Sequence, residues 1–214
     1  MGDWPFGVQE HLTQISAPDA WDVTTGNASV VVAVIDTGVD LDHPDLDDNL
    51  LPGTTFVEGT TMPQDDNGHG TAVAGLIAAE MNNLTDVAHE AGGDPLWAGG
   101  VVGVAPSVTI LPVKVLNQDG DGRVSDIAAG INYAVDPDGD PATDDGADII
   151  TLSLGGGGVS QVVSDAIANA YRQGALVIAG VLHEDWGGGY PALDRYTLAV
   201  TALDADDVWD GEHA

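Results

Sequence analysis

Five short runs of β-branched and aliphatic residues alternate along this chain with segments of helical periodicity. The runs cover residues 29–36, 108–115, 148–154, 175–181 and 197–202. Runs this continuously apolar are typical of strands that are buried on both faces of a parallel sheet. Because parallel strands need crossover connections, the segments between them must supply helices that cover the sheet. The alternation therefore predicts an α/β fold of three layers with a mostly parallel central sheet.

Three segments between these runs carry helical patterns. Residues 70–81 are rich in alanine and other small residues, which allows close packing of a helix against a sheet. A second helix is expected to open with Ser125 as N-cap and Asp126 in its first turn. In the third, apolar residues recur at helical spacing over 162–171, and Gly174 is suited to end the helix.

The charge balance limits the partners that this chain can have. Its 214 residues include 35 acidic and only 4 basic side chains, a net charge of −31, and Lys114 is the sole lysine. Such a charge repels nucleic acids and anionic membranes, since binding to phosphate requires clustered Lys and Arg. Two interpretations remain, an acidic surface for cations or basic peptides and a solvation device for a salt-rich habitat. The scattered acids favour the second interpretation.

The sequence contains few features that would indicate a cellular compartment or attachment to a membrane. There is no cysteine, and no apolar run approaches the roughly 20 residues that span a bilayer. The first residues, from Met1 to Phe6, carry neither the basic nor the apolar region of a signal peptide. We therefore expect no membrane partner and a salt-rich environment, and we assign no compartment.

Two acidic segments invite a metal interpretation. Residues 136–146 hold five carboxylates, and hard cations such as calcium bind several oxygens. The glycines there do not match an EF-hand, and Asp is common throughout this chain, so calcium is one interpretation and a solvated loop is the other. Residues 117–122 are interpreted as a tight turn.

Asp36 and His69 are the candidates for chemistry. Asp36 ends the first confident strand, where open α/β sheets place binding residues. An Asp there can orient a histidine, cap a turn or bind a metal. His69, between two glycines at the start of a helix, can be structural or reactive. Together the two residues fit a base that is oriented by a carboxylate.

Four motifs resemble one family in the order in which that family carries them. Residues 32–46 read Val-Ala-Val-Ile-Asp-Thr-Gly-Val-Asp-Leu-Asp-His-Pro-Asp-Leu, and residues 67–75 read Asn-Gly-His-Gly-Thr-Ala-Val-Ala-Gly. These resemble the aspartate and histidine motifs of the subtilisin-like serine proteases (subtilases, peptidase S8), and residues 102–115 and 149–156 resemble that family as well. The resemblance implies a subtilisin-like fold and hydrolysis of peptide bonds in peptide or protein substrates.

The resemblance also implies roles for individual residues. Asp36 would orient His69, and His69 would be the general base of an Asp-His-Ser triad. Ser153, Leu154 and Gly155 would form the strand that pairs with the substrate backbone. Asp45 resembles a calcium-loop position of some relatives, so a structural calcium ion is a possible cofactor.

The chain departs from the family pattern at its second half. The serine of the triad is expected about 150 residues after the histidine, yet the chain ends at Ala214, and no Gly-Thr-Ser motif is present. None of its seven serines lies in a comparable context. His183, preceded by Leu182, stands where the family has its oxyanion asparagine, and losing such a donor costs roughly 10²–10³ in rate.

These departures lead to an expectation about the chain as a whole. We expect an N-terminal extension over residues 1–28 that packs on the domain, an incomplete subtilase catalytic domain over 29–207 whose C-terminal part is missing, and a tail over 208–214. Alone, the chain is expected to be inactive and poorly folded or sticky, unless a second segment supplies the serine helix. Two alternatives remain open: a non-catalytic peptide-binding relative and a degenerate gene fragment.

Overall fold

The structure is a computed structural model that describes residues 9–81, 101–140, 142–143, 145–156, 158–181 and 189–202. In chain order its helices are α1 (Glu10–Gln14), α2 (Ala17–Trp21), α3 (His69–Ala78), α4 (Val124–Val135) and α5 (Gln161–Arg172). The strands are β1 (Val31–Asp36), β2 (Thr54–Thr55), β3 (Thr109–Lys114), β4 (Ile149–Leu152), β5 (Leu176–Gly180) and β6 (Thr197–Val200).

The six strands form one sheet in the order β2-β3-β1-β4-β5-β6, and every neighbouring pair is parallel. All five runs that predict strands contain one, so the prediction of a mostly parallel α/β sheet is confirmed. Since all strands point the same way, the carboxyl ends of β1, β3 and β4 lie at the same edge of the sheet. Asp36, the last residue of β1, is the register partner of Lys114 on β3.

Helices cover the sheet on both faces, which gives the three layers expected. On one face α4 and α5 contribute Ala128, Ile131, Val163 and Ile167 to a large core with Ile35 and Ile150. On the other face α3 packs Ala74 and Ala78 against Val32, Val34 and Ile110 of β1 and β3. This second face carries the site, because α3 begins at His69.

The half of the α3 face formed by β4, β5 and β6 is only partly covered. Side chains alternate across a strand, so the register places Leu176, Leu198 and Val200 on the same face as Val32 and Val34. Their exposed fractions are 46%, 52% and 49%. We call these three residues the open face. No helix among the described residues is long and apolar enough to cross a membrane.

The two N-terminal helices were not predicted. Leu12 and Ala17 are buried with Val102, and the indole Nε1 of Trp21 donates to the carbonyl oxygen of Val104 at 2.9 Å. Gln9 also forms a pair of hydrogen bonds with the backbone of Val102. These contacts fasten residues 9–21 to the segment that follows α3.

Two predicted boundaries are wrong. Helix α4 begins at Val124 with Arg123 at its N-cap position, and the Ser125 hydroxyl bonds to Asp126 within the first turn. Ser125 is therefore not the N-cap. The third run was predicted as a strand to residue 154, but β4 ends at Leu152, its last residue paired with β5. In α5 the N-cap is Ser160, which the sequence had not singled out, and its hydroxyl accepts the N–H of Val163.

Candidate active site

Asp36 is held rigidly at the carboxyl end of β1. Its side chain is buried, and Oδ1 accepts the backbone N–H of Thr37 at 2.7 Å. The same oxygen lies 2.8 Å from Nδ1 of His69, so the two residues that the sequence singled out are in direct contact. The other oxygen, Oδ2, is buried and has no hydrogen-bond partner among the described residues. A buried carboxylate in this position is well placed to fix the orientation of an imidazole.

His69, unlike Asp36, is only partly enclosed: one ring nitrogen is bonded to Asp36, and half of the side chain is exposed to solvent. It is the first residue of α3, and half of its side chain is exposed (50%). Because a carboxylate only accepts, Nδ1 must donate to Asp36, which leaves the lone pair of a neutral imidazole on Nε2. The histidine thus offers an oriented base toward solvent.

Glycines on both sides of His69 permit this geometry. Gly68 has a φ of 104°, in the left-handed region that side chains avoid. Gly70 is buried, and a Cβ there would lie 2.1 Å from the carbonyl oxygen of Gly38. The start of α3 can therefore approach the end of β1 only because residue 70 has no side chain.

Asp65 fixes the turn that leads into His69. Its Oδ1 accepts from the Thr37 hydroxyl and from the N–H groups of Asn67 and Gly68, at 2.9 to 3.0 Å. Its Oδ2 accepts from the N–H and the hydroxyl of Thr71. Burial raises the pKa of Asp65, but these hydrogen bonds outweigh it and hold that pKa below its ordinary value of 3.8. Asp65 was missed in the sequence, where it is one acid among many.

The predicted substrate-binding residues follow β4 and are not part of it. Ser153 is half-buried, Leu154 is buried and Gly155 is exposed. Since β4 is the neighbour of β1, this segment leaves the sheet at the same edge as Asp36. The prediction that these three residues form a substrate-pairing strand stays a prediction.

The described residues show no serine hydrogen-bonded to His69. Four serine hydroxyls have partners elsewhere: Ser107 with Thr25, Ser125 with Asp126, Ser160 with the N–H of Val163, and Ser164 with Asp194. His183, the predicted oxyanion position, and the tail over 208–214 lie outside the described residues.

The acidic loop after α4 brings three carboxylates close together. Asp136, Asp138 and Asp145 each offer a carboxylate oxygen, and these atoms lie within 4.8 Å of one another. Oδ1 of Asp136 is buried without a hydrogen-bond partner among the described residues. Oxygen donors of this kind suit a hard cation, and calcium at this loop stays a prediction. Asp45, the other residue considered for calcium, accepts the N–H of Val101 at 3.0 Å.

Comparison with known proteins gives one family. The family described as "Peptidase S8: Subtilase family" matches residues 27–209. The chain is 39% identical over 205 residues to the thermophilic serine proteinase of Bacillus sp. (strain AK1), covering 95% of this chain and 45% of that protein. It is 36% identical to thermitase of Thermoactinomyces vulgaris, covering 91% and 62%, and 38% identical to subtilisin DY of Bacillus licheniformis, covering 84% and 58%.

The chain therefore spans about half the length of the curated relatives that it matches. The family match extends over most of the chain and includes β1, α3 and β4, the elements around the Asp36–His69 contact. This chain belongs to the subtilase family of subtilisin-like serine proteases.

Proposed function

We propose that this chain carries the acid–base half of a serine endopeptidase. The observation that supports the proposal is the 2.8 Å contact between Oδ1 of Asp36 and Nδ1 of His69. In the reaction, Nε2 of His69 takes the proton of a serine hydroxyl as that oxygen attacks the peptide carbonyl. The imidazolium then returns the proton to the leaving amine, and a water molecule hydrolyses the acyl-enzyme by the same route. Asp36 keeps the ring oriented and stabilises its positive charge.

The nucleophile is the component that these residues do not supply. None of the seven serines in the sequence stands in a Gly-Thr-Ser context. We propose that the serine belongs to a segment outside the 214 residues and that the chain alone does not turn over substrate.

We propose that the segment with the serine packs on the open face of the sheet. Leu176, Leu198 and Val200 are about half exposed on the face of the sheet where α3 and His69 lie. Burying a large aliphatic side chain stabilises by about 1.5–3 kcal/mol. A segment that packs there would gain this stabilisation and would lie on the same face as the base.

The experiment compares hydrolysis of a chromogenic peptide in multimolar KCl by two proteins. One is the 214-residue chain, and the other is the chain extended by the sequence encoded downstream of it. We expect turnover only from the extended protein, and we expect His69→Ala to lower it by roughly 10⁴-fold or more. Turnover that survives His69→Ala would refute the proposed roles. Peptide binding without turnover, in both proteins, would instead indicate a non-catalytic peptide-binding relative.

A further inference from the structure

The sole lysine of this acidic chain is completely buried. Lys114 is the last residue of β3 and has an exposed fraction of 0%. Burying an ammonium group is costly unless every donor finds a partner. In a chain with a net charge of −31, a lysine that only paired with surface carboxylates would keep its ammonium group in solvent. The position of Lys114 therefore calls for an explanation from its contacts.

All three N–H donors of the ammonium group have acceptors. Nζ donates to the carbonyl oxygen of Thr37, to the carbonyl oxygen of Leu116 at 2.9 Å and to Oδ1 of Asp66 at 2.6 Å. Two of these acceptors are backbone groups at the ends of β1 and β3. The third is a carboxylate on the loop that leads to α3, and it provides the charge that compensates the buried ammonium.

Two of the three acceptors, Thr37 and Asp66, lie on the segments that carry the catalytic pair. Thr37 directly follows Asp36, and Asp66 precedes His69 by three residues. Lys114 is itself the register partner of Asp36 across β1 and β3. One side chain thus joins the end of the strand that carries Asp36 to the loop that delivers His69.

Asp65 and Asp66 fasten this loop in two directions. Asp65 bonds toward α3 through Gly68 and Thr71, and it also accepts the hydroxyl of Thr37 after β1. Asp66 bonds toward the sheet through Lys114. Both carboxylates therefore tie the turn to the end of β1, and the contact of Asp66 with Lys114 is the one that pairs opposite charges.

We infer that Lys114, acting through Asp66, is a positioning residue that holds His69 against Asp36. The inference rests on the proposed function, because it concerns the geometry of the same pair. It differs from a purely structural role in one respect: loss of the Lys114–Asp66 contact must disturb the Asp36–His69 hydrogen bond even where the fold is intact.

The experiment observes that hydrogen bond directly. In a proton NMR spectrum of the 214-residue chain in multimolar KCl, the Nδ1–H proton of a histidine bonded to a carboxylate appears far downfield. His69→Ala assigns the signal. Lys114→Met removes the ammonium group and keeps the apolar stem, and Asp66→Ala removes only the carboxylate. We expect both variants to lose or shift the signal while the backbone amide spectrum stays dispersed.

Matched controls separate this effect from a change of surface charge. Glu58 also forms an ion pair, with Arg123 at 2.9 Å, and its side chain is 80% exposed against 44% for Asp66. Glu58→Ala should leave the signal unchanged. Asp66→Asn keeps an oxygen acceptor for Lys114 and should restore the signal that Asp66→Ala loses. In the extended protease, Asp66→Ala should lower kcat by roughly 10²-fold, since small misplacements have this effect, with little change in KM.

The outcomes distinguish the proposed roles of Asp36 and His69 from the inference about Lys114. A wild-type chain that is folded but lacks the downfield signal would contradict the proposed Asp36–His69 roles and the inference with them. A wild-type signal that persists in Lys114→Met and Asp66→Ala would overturn the inference alone. Should Lys114→Met fail to fold, Asp66→Ala decides the question, because it removes an exposed side chain.

Discussion

Gly70 is the position at which one added methyl group most directly tests the packing behind the catalytic pair. A Cβ there would lie 2.1 Å from the carbonyl oxygen of Gly38 and 3.2 Å from Oδ1 of Asp36. The Gly38 oxygen belongs to the backbone, so it cannot rotate away as a side chain would. Forcing a group into a packed site of this kind costs about 1–3 kcal/mol. Gly70→Ala is therefore expected to destabilise the chain by about that amount and to move the downfield proton signal of His69.

Gly75, on the same helix, provides the matched control. No described atom lies within 4 Å of a Cβ built at Gly75, so an alanine fits there without strain. Replacing a helical glycine by alanine stabilises by roughly 0.5–1 kcal/mol. Urea unfolding of both variants in multimolar KCl should therefore give shifts of opposite sign. If Gly70→Ala matched Gly75→Ala in stability and kept the His69 signal, the close approach of α3 to β1 described above would be wrong.

Three further predictions concern other parts of the chain. Asp65→Asn should lower the free energy of unfolding by about 1–3 kcal/mol at neutral pH. The lowered pKa of Asp65 means that its contribution is present above the ordinary value of 3.8 and is lost as the pH falls through the folded-state pKa; urea unfolding at a series of pH values should show the two proteins converging in acid. Leu12→Ala should lower the free energy of unfolding by about 2–5 kcal/mol because Leu12 is fully buried. Ile15→Ala, at an exposed position, should change it by less than about 0.5 kcal/mol. Equal effects of the two substitutions in thermal unfolding would show that α1 does not pack on the domain. Raising KCl from about 0.1 M to 1 M should increase the midpoint temperature of thermal unfolding. The reason is that the Debye length falls from about 10 Å to 3 Å, which screens the repulsion within a chain of charge −31. A midpoint that is independent of salt would contradict this interpretation of the acidic composition.

The elements that the sequence predicts well are those whose signal is local. Residues 29–36 and 108–115 are mostly apolar, and they contain β1 and β3 in the middle of the sheet, where both faces are buried. Helix α5 combines an apolar stripe over 162–171 with Gly174 after its end, and it lies where the pattern places it. In contrast, α1 and β2 have five and two residues, too few to show a period, and their packing partners determine them.

The candidate site divides in the same way. Asp36 and His69 could be predicted as a pair because each lies in a distinctive motif beside a strand or helix end. The supporting residues could not, since Lys114 contacts groups 48 and 77 positions away in the chain. The only local sign was a lone lysine at the end of an apolar strand, which by itself is compatible with a side chain that reaches solvent.

Strand β6 is the last strand of the sheet among the described residues, and its apolar side chains are about half exposed. A strand at the end of a sheet can pair through its backbone with the same strand of another molecule. At low salt, repulsion between negative charges keeps molecules apart but also destabilises the folded chain. At high salt this repulsion is screened, so the folded chain is more stable and two molecules can approach each other more easily. The condition that favours the folded chain is thus also the one that favours its self-association, so sedimentation should show larger species as KCl rises, at concentrations where the monomer is best folded.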